Sequence, residues 1–215
     1  MLEVGVGTGR WAVPLARRGV AVVGVDLSLP MLERLRAKAG GEAVPLVQGD
    51  ATALPFGDGA FEAAYVCHVL HLVPAWEQAV QELLRVVARP GVVLADFGGS
   101  QAFDALLSRA LGESFDRGAG FPGLRDVAQL DETMRELGAA VRVLPGVAQR
   151  IDRPLRMVLD RFRGNQFSWT WTMTDEEREA AAARFEAWAD DAVGGVDAIP
   201  YVDQEIAWHA YDLPG

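Results

Sequence analysis

Cysteine is almost missing from this chain of 215 residues, where Cys67 stands alone. A single thiol allows no internal disulfide and no multi-thiol metal or arsenic site, and it suits a reducing, cytoplasmic compartment. Long apolar runs are missing too, and none approaches the ~20 residues that cross a bilayer. No basic segment precedes an apolar one at the amino end, so the pattern of a secretory signal peptide is not there. Positive charge is scarce. The net charge is −10, and residues Thr174 to Gly215 carry eleven acidic residues against two basic ones. The acidic end reads as a solvated helix face, and the rest of the chain is near neutral. Neither part has the basic footprint that nucleic acid or an anionic membrane surface requires.

What is present is apolar. Half of the residues are hydrophobic, enough for one α/β domain with a sizeable core and a small addition. The first ten residues organise the rest. An apolar stub, Leu2 to Val4, runs into Gly5, Gly7 and Gly9, and a helix-like stretch from Trp11 to Arg18 follows. Strand, glycine turn and helix let the backbone come close to a ligand. A second apolar run, Val20 to Val25, ends at Asp26. An acidic residue there meets ribose hydroxyls, or else belongs to the cap of the next helix. A third run, Val44 to Val47, is closed by Gln48-Gly49-Asp50-Ala51, where a carboxylate can accept from an adenine amino group. A fourth begins at Phe61 and extends to His71. Two nucleoside cofactors fit this layout, a nicotinamide dinucleotide and S-adenosylmethionine. The dinucleotide pattern wants a glycine at position 10, which is Arg10.

In these stretches the chain resembles the class I S-adenosylmethionine-dependent methyltransferases, and within them the small-molecule group that includes the ubiquinone-biosynthesis type. The motifs that carry the resemblance are Glu3-Val-Gly5-Val-Gly7-Thr8-Gly9, Val25-Asp26-Leu27-Ser28, Gly49-Asp50-Ala51, Phe61 through His71, and the helix, turn and strand from Glu82 past Pro90-Gly91. It covers residues 1 to about 97 well; beyond that it is a resemblance of layout. It implies a doubly wound, mostly parallel sheet with an antiparallel last strand. It implies that Gly5, Gly7, Thr8 and Gly9 approach the methionine and ribose part of the cofactor, and that Glu3 orients the loop or meets the ammonium through water. Asp26 would take the ribose hydroxyls, Leu27 and Met31 would flank the adenine, and Asp50 with Ala51 would read its edge. His68 would sit where cofactor and acceptor meet, with His71 one helical turn on. Either histidine is a candidate base if the acceptor is a hydroxyl or phenol. His209 reads as structural.

Departures from the family narrow the chemistry. No Asn/Asp-Pro-Pro-aromatic motif follows the fourth strand, so amino-methylation of nucleic-acid bases is not indicated. No carboxylate cluster follows it, so a magnesium-dependent catechol-type site is unsupported, and no metal is expected. The expected organisation is a cofactor-binding core over residues 1–150, a helical lid over 151–200 and the last strand within 201–215, centred on Glu205–Tyr211. The lid would hold helices Leu155–Arg163 and Asp175–Ala192, joined by an aromatic stretch with Phe167, Trp169 and Trp171. That stretch is either a lid over the substrate or the small core under the inserted helices. Met1 falls inside the first strand, which leads to the expectation that an intact domain has residues upstream. The reading is a cytoplasmic methyltransferase that passes a methyl group from S-adenosylmethionine, leaving S-adenosylhomocysteine, to a small organic acceptor. Its rivals are a nicotinamide-dependent oxidoreductase and a non-catalytic nucleoside-binding fragment.

Overall fold

Short apolar strands alternate with helices from residue 2 onward, and they assemble into one seven-stranded sheet. The structure is a computed structural model and describes all residues except 39–43, 97–100, 113–120, 152, 168, 169 and 172. The strands are β1 (Leu2–Val4), β2 (Val23–Asp26), β3 (Leu46–Gln48), β4 (Phe61–Cys67), β5 (Val87–Asp96), β6 (Ala140–Val143), β7 (Val147–Ile151), β8 (Val202–Ile206) and β9 (His209–Leu213). The helices are α1 (Ala12–Arg17), α2 (Leu29–Lys38), α3 (Trp76–Val86), α4 (Gln101–Leu111), α5 (Val127–Glu136), α6 (Leu155–Arg163) and α7 (Asp175–Val193), with a 3-10 turn at Leu70–Leu72.

The sheet runs β3-β2-β1-β4-β5-β9-β6. Pairings from β3 to β5 are parallel, and β9 lies antiparallel to both β5 and β6. Chain order reverses between β1 and β4, so a crevice forms at the carboxyl ends of those two strands. In open α/β sheets that is where ligands bind. Short strands buried on both faces explain the continuous apolar runs. One face packs Leu2, Val4, Val66 and Val93 against Trp76, Val80 and Leu83 of α3 and Leu130 and Met134 of α5. On the side of α1 and α2 a smaller cluster gathers Val6, Val13, Val22, Leu32 and Leu35.

The chain divides into two compact units. The first holds Met1–Gly98, Pro122–Pro145 and Ala207–Gly215, and thus the whole large sheet. The second holds Gly99–Phe121 and Gly146–Ile206. In the second, Leu107 of α4, Leu155, Leu159 and Phe162 of α6, and Ala182 and Phe185 of α7 share one apolar cluster. Helix α7 begins with a capping box, in which Thr174 and Glu177 satisfy each other's backbone N–H, and ends at Gly194 with φ 84°. Its first turn is acidic, with Asp175, Glu176 and Glu177 all exposed. Among the described residues no helix is long and apolar enough to cross a membrane.

Two sequence expectations change. The expected strand Glu205–Tyr211 is two strands, because Ala207 and Trp208 interrupt it. The later piece, β9, is the antiparallel strand of the large sheet. The earlier piece, β8, pairs with β7 in a separate two-stranded sheet that the sequence reading did not contain. The fourth apolar run also ends as a strand at Cys67 and turns through a 3-10 segment.

Helix α5 is fixed to β9 by a buried carboxylate. Asp131 accepts from the Tyr211 hydroxyl at 2.9 Å and lies 2.9 Å from Nδ1 of His209. This agrees with the structural role expected for His209. Asp131→Ala leaves the buried phenol unpaired and should cost about 1–3 kcal/mol in urea unfolding. Tyr211→Phe, which removes the donor and leaves Asp131 its contact with His209, should cost less. Equal midpoints for wild type and Asp131→Ala would show that the network carries no stability.

Candidate functional site

Three strand tips meet at the crevice, and the glycine turn after β1 is the innermost of them. Gly5, Gly7 and Gly9 have φ of 74°, 51° and 73°, a region that residues with a Cβ rarely adopt. Their surroundings differ. A Cβ on Gly5 would stand 2.0 Å from Cγ2 of Val69, and one on Gly9 would stand 2.9 Å from Leu35 and Val13. On Gly7 it would meet nothing nearer than the Gly5 carbonyl at 3.9 Å. So Gly5 and Gly9 are required by close protein packing, while Gly7 faces open space.

Hydrogen bonds tie this turn to the tip of β2. The Val25 carbonyl accepts from the N–H groups of Gly5 and Val6 at 2.8 and 3.0 Å. One carboxylate oxygen of Asp26 accepts from the Gly7 N–H at 2.7 Å, and the other from the Ser28 N–H at 2.8 Å. Asp26 therefore holds the glycine turn and the start of α2 together. Leu27, beside it, is 68% exposed, and Met31 is half-buried. At the tip of β3, Asp50 is exposed and accepts from both the N–H and the hydroxyl of Thr52 at 2.8 Å. Those bonds hold its carboxyl below the usual range. Ala51 is half-buried, as is Thr8 in the glycine turn.

Glu3, in the middle of β1, is 3% exposed. Its Oε2 has no hydrogen-bond partner among the described residues. Burial pushes its carboxyl up to about 8; the Ala12 N–H pulls it down, and the nearby charge of Asp26 adds to the rise.

Beyond β4 the chain turns sharply. His68 has φ 55°, left-handed for a residue with a Cβ. Its ring and that of His71 lie edge to face at 6.4 Å. A shallow recess there is lined by His68, Val69, His71 and Asp96 among others. The recess is held from behind by Gly123, whose N–H donates to the His71 carbonyl at 3.0 Å. A Cβ at Gly123 would stand 2.2 Å from the Leu70 carbonyl oxygen. Cys67 and Asp96 are register partners on β4 and β5, and the thiol donates to the Asp96 carboxylate at 3.5 Å. Burial, then the Asp96 charge, pushes the thiol up to about 12, so it is no free nucleophile near neutral pH.

Comparison with known proteins bears on the same segment. Residues 2–95 match the family described as a methyltransferase domain. A demethylmenaquinone methyltransferase of Thermus thermophilus is 40% identical over 102 residues, 45% of this chain and 46% of that protein. The demethylmenaquinone methyltransferase of Mycobacterium bovis is 34% identical over 149 residues, 69% of this chain and 61% of the relative. A phosphatidylethanolamine N-methyltransferase of Cereibacter sphaeroides is 42% identical over 98 residues, covering 44% and 48% of the two chains. The chain spans about half the length of the curated relatives it matches. Among solved structures, the YcgJ protein of Bacillus subtilis superposes with a TM-score of 0.66 at 17% identity, over 100% of this chain and 92% of that one. A structure described as a putative methyltransferase from Bacillus halodurans gives 0.65 at 20%, over 100% and 92%. The methyltransferase fold expected from the sequence is the fold observed.

The glycine turn, Asp26, Leu27, Asp50 and His68 thus share one rim of the sheet. Trp169 lies outside the described residues. Phe167 and Trp171 belong to the second unit. Phe167 packs on its apolar cluster with the Arg161 guanidinium 4.6 Å above the ring, and Trp171 is 55% exposed. The sequence reading missed Val69, Asp96 and Gly123. Each acts through a partner far along the chain, and no local pattern marks it.

Two outcomes follow. Gly5→Ala should destabilise the first unit by about 1–3 kcal/mol, since the new methyl group overlaps Val69. Adding Val69→Ala should return part of that loss; if it returns none, the left-handed backbone alone accounts for Gly5. Glu3 titrates with its folded value raised above the usual 4.5. Its contribution is fully present below about 4.5 and is lost as pH rises to about 8. Glu3→Gln should flatten that decline in a series of urea midpoints between these pH values, and an unchanged slope would place the titration elsewhere.

Proposed function

We propose that this chain transfers a methyl group from S-adenosylmethionine to a small organic acceptor. The observation that carries the reading is the rim at the reversal point of the sheet. There an open glycine turn, a strand-tip carboxylate and a strained histidine stand on three neighbouring strands. The methyltransferase-domain match over residues 2–95 and the curated relatives named above support it. A cationic cofactor also suits a rim that carries Asp26 and Asp50.

In this reading Gly5, Gly7, Thr8 and Gly9 let the backbone approach the cofactor, with Gly7 the closest point. Asp26 still has lone pairs to spare for ribose hydroxyls, Leu27 and Met31 flank the adenine, and Asp50 with Ala51 reads its edge. The cofactor arrives already activated. The residues of the chain have to hold the acceptor in line with the methyl group and keep water out. His68 and His71 stand at the recess where an acceptor proton would be taken up, and neutral imidazole is suited to accept it. Glu3 lies within the same crevice as a protonated acid at neutral pH. An ammonium group arriving beside it would favour its ionised form. The lid role expected for Phe167, Trp169 and Trp171 stays a proposal.

The nicotinamide reading is less well supported. Dinucleotide-binding sheets run 3-2-1-4-5-6 in one direction. Here the antiparallel β9 separates β5 from β6, and Arg10 replaces the third glycine.

Calorimetry with S-adenosylhomocysteine tests the assignment. Binding should raise the melting temperature. Asp26→Asn should weaken affinity by more than tenfold. Near pH 7 the binding heat should vary with the ionisation enthalpy of the buffer, because Glu3 gives up its proton, and Glu3→Gln should remove that dependence. Once an acceptor is in hand, Trp171→Ala should raise its KM more than it lowers the melting temperature. Stabilisation by NADH and not by S-adenosylhomocysteine would overturn the methyl-transfer reading.

A further inference from the structure

We propose that Cys67, His68 and Asp96 form a zinc-binding site with three protein ligands and one open position. The three side chains each offer one ligand atom, and these atoms all lie within 4.8 Å of one another. Two features of the backbone bring them together. Cys67 and Asp96 are register partners on adjacent parallel strands, so their side chains leave the sheet on the same face. His68 is the next residue, and in a continuing strand it would point to the opposite face. The left-handed turn at His68, with φ 55°, ends the alternation at that residue.

The ligand set selects the ion. Thiolate and imidazole favour zinc over magnesium or calcium, which take oxygen ligands. Three protein ligands with a place for water are the pattern of reactive zinc sites, whereas structural sites are closed by four. Bonds of ~2.0–2.3 Å to a tetrahedral ion put ligand atoms about 3.5 Å apart. The thiol and the carboxylate already stand at 3.5 Å, and the widest pair needs to close by about 1 Å. His68 and Asp96 also line the recess beyond β4. The open position would therefore be taken by water or by the thiol or hydroxyl of a small molecule in that recess. On binding, two Zn–O/N bonds and one Zn–S bond form, and the thiol proton leaves to solvent. No electron is transferred. The site stands whether or not the chain transfers methyl groups.

The test uses the full chain, stripped with a chelator and titrated with zinc against a chromophoric competitor, then with cobalt as a spectroscopic stand-in. One equivalent should bind, and the cobalt form should show a thiolate-to-metal charge-transfer band. Cys67→Ser should abolish that band and weaken zinc by more than tenfold. Asp96→Asn should weaken zinc by at least tenfold. His68→Asn should do the same, and asparagine tolerates the left-handed backbone, so this variant carries the test if another fails to fold. Stoichiometric zinc binding that survives Cys67→Ser would overturn the site. So would the absence of a thiolate band, or an affinity indifferent to both Asp96→Asn and His68→Asn.

Discussion

The rim of the sheet depends on how the glycine turn is held. The Val25 carbonyl and the Asp26 carboxylate take N–H groups from Gly5, Val6 and Gly7, so the turns after β1 and β2 form one hydrogen-bonded unit. Val69 then fills the space above Gly5, which brings in the tip of β4, and Leu35 of α2 fills the space beside Gly9. None of these contacts needs a ligand. Contacts of this kind reduce the ordering that binding a ligand at the turn would require. Gly7 is the glycine of this interlocked turn beside which a Cβ would meet nothing nearer than 3.9 Å, and the proposed reading uses that space for the cofactor.

Electrostatics at the rim follow from burial. Glu3 sits under the turn with one oxygen unpartnered among the described residues, and it avoids the cost of a buried charge by keeping its proton. Asp50, at the exposed end of β3, has the opposite environment: bonds from Thr52 favour its ionised form. Two carboxylates on neighbouring parts of one sheet thus differ in charge at neutral pH because one is dry and the other wet. Cys67 is on the dry side, beside Asp96. A cation arriving beside either dry site would favour loss of its proton, whether that cation belongs to a ligand or is a metal.

Much of the frame was legible in the sequence because it rests on local rules. Continuous apolar runs gave the parallel strands, and glycine after β1 with Asp26 after β2 gave the rim. What was missed lacks an apolar signal. Val202-Asp-Gln-Glu-Ile206 pairs only with β7, in a two-stranded sheet outside the large one, and three of its five residues are polar or charged. Next to it β9 is buried, and only Ala207 and Trp208 separate the two. A reading by hydropathy merges such neighbours, because nothing in the composition says that the chain changes sheets between them.

The site was legible to the same extent and failed for a related reason. Residues whose place follows from their own stretch of chain could be located at the strand tips: the glycines, Asp26, Asp50 and the histidines after β4; that they bind or react is the proposal made above. Residues that act across strands could not. Asp96 lies 29 positions after Cys67, and only the register of β4 on β5 makes them neighbours. The sequence excluded a multi-thiol site on its single cysteine. It could not weigh a mixed site, since adjacent residues such as Cys67 and His68 point to opposite faces in any extended strand. The left-handed backbone at His68 cancels that rule at one position. Strain of this kind persists only where the surroundings fix it. Here the surroundings are visible: Gly123 and Leu124 bond to the carbonyls of His71 and Leu70, and Val69 packs onto Gly5. The turn that carries the two histidines is thus clamped from both sides, by the glycine turn and by the chain leading into α5.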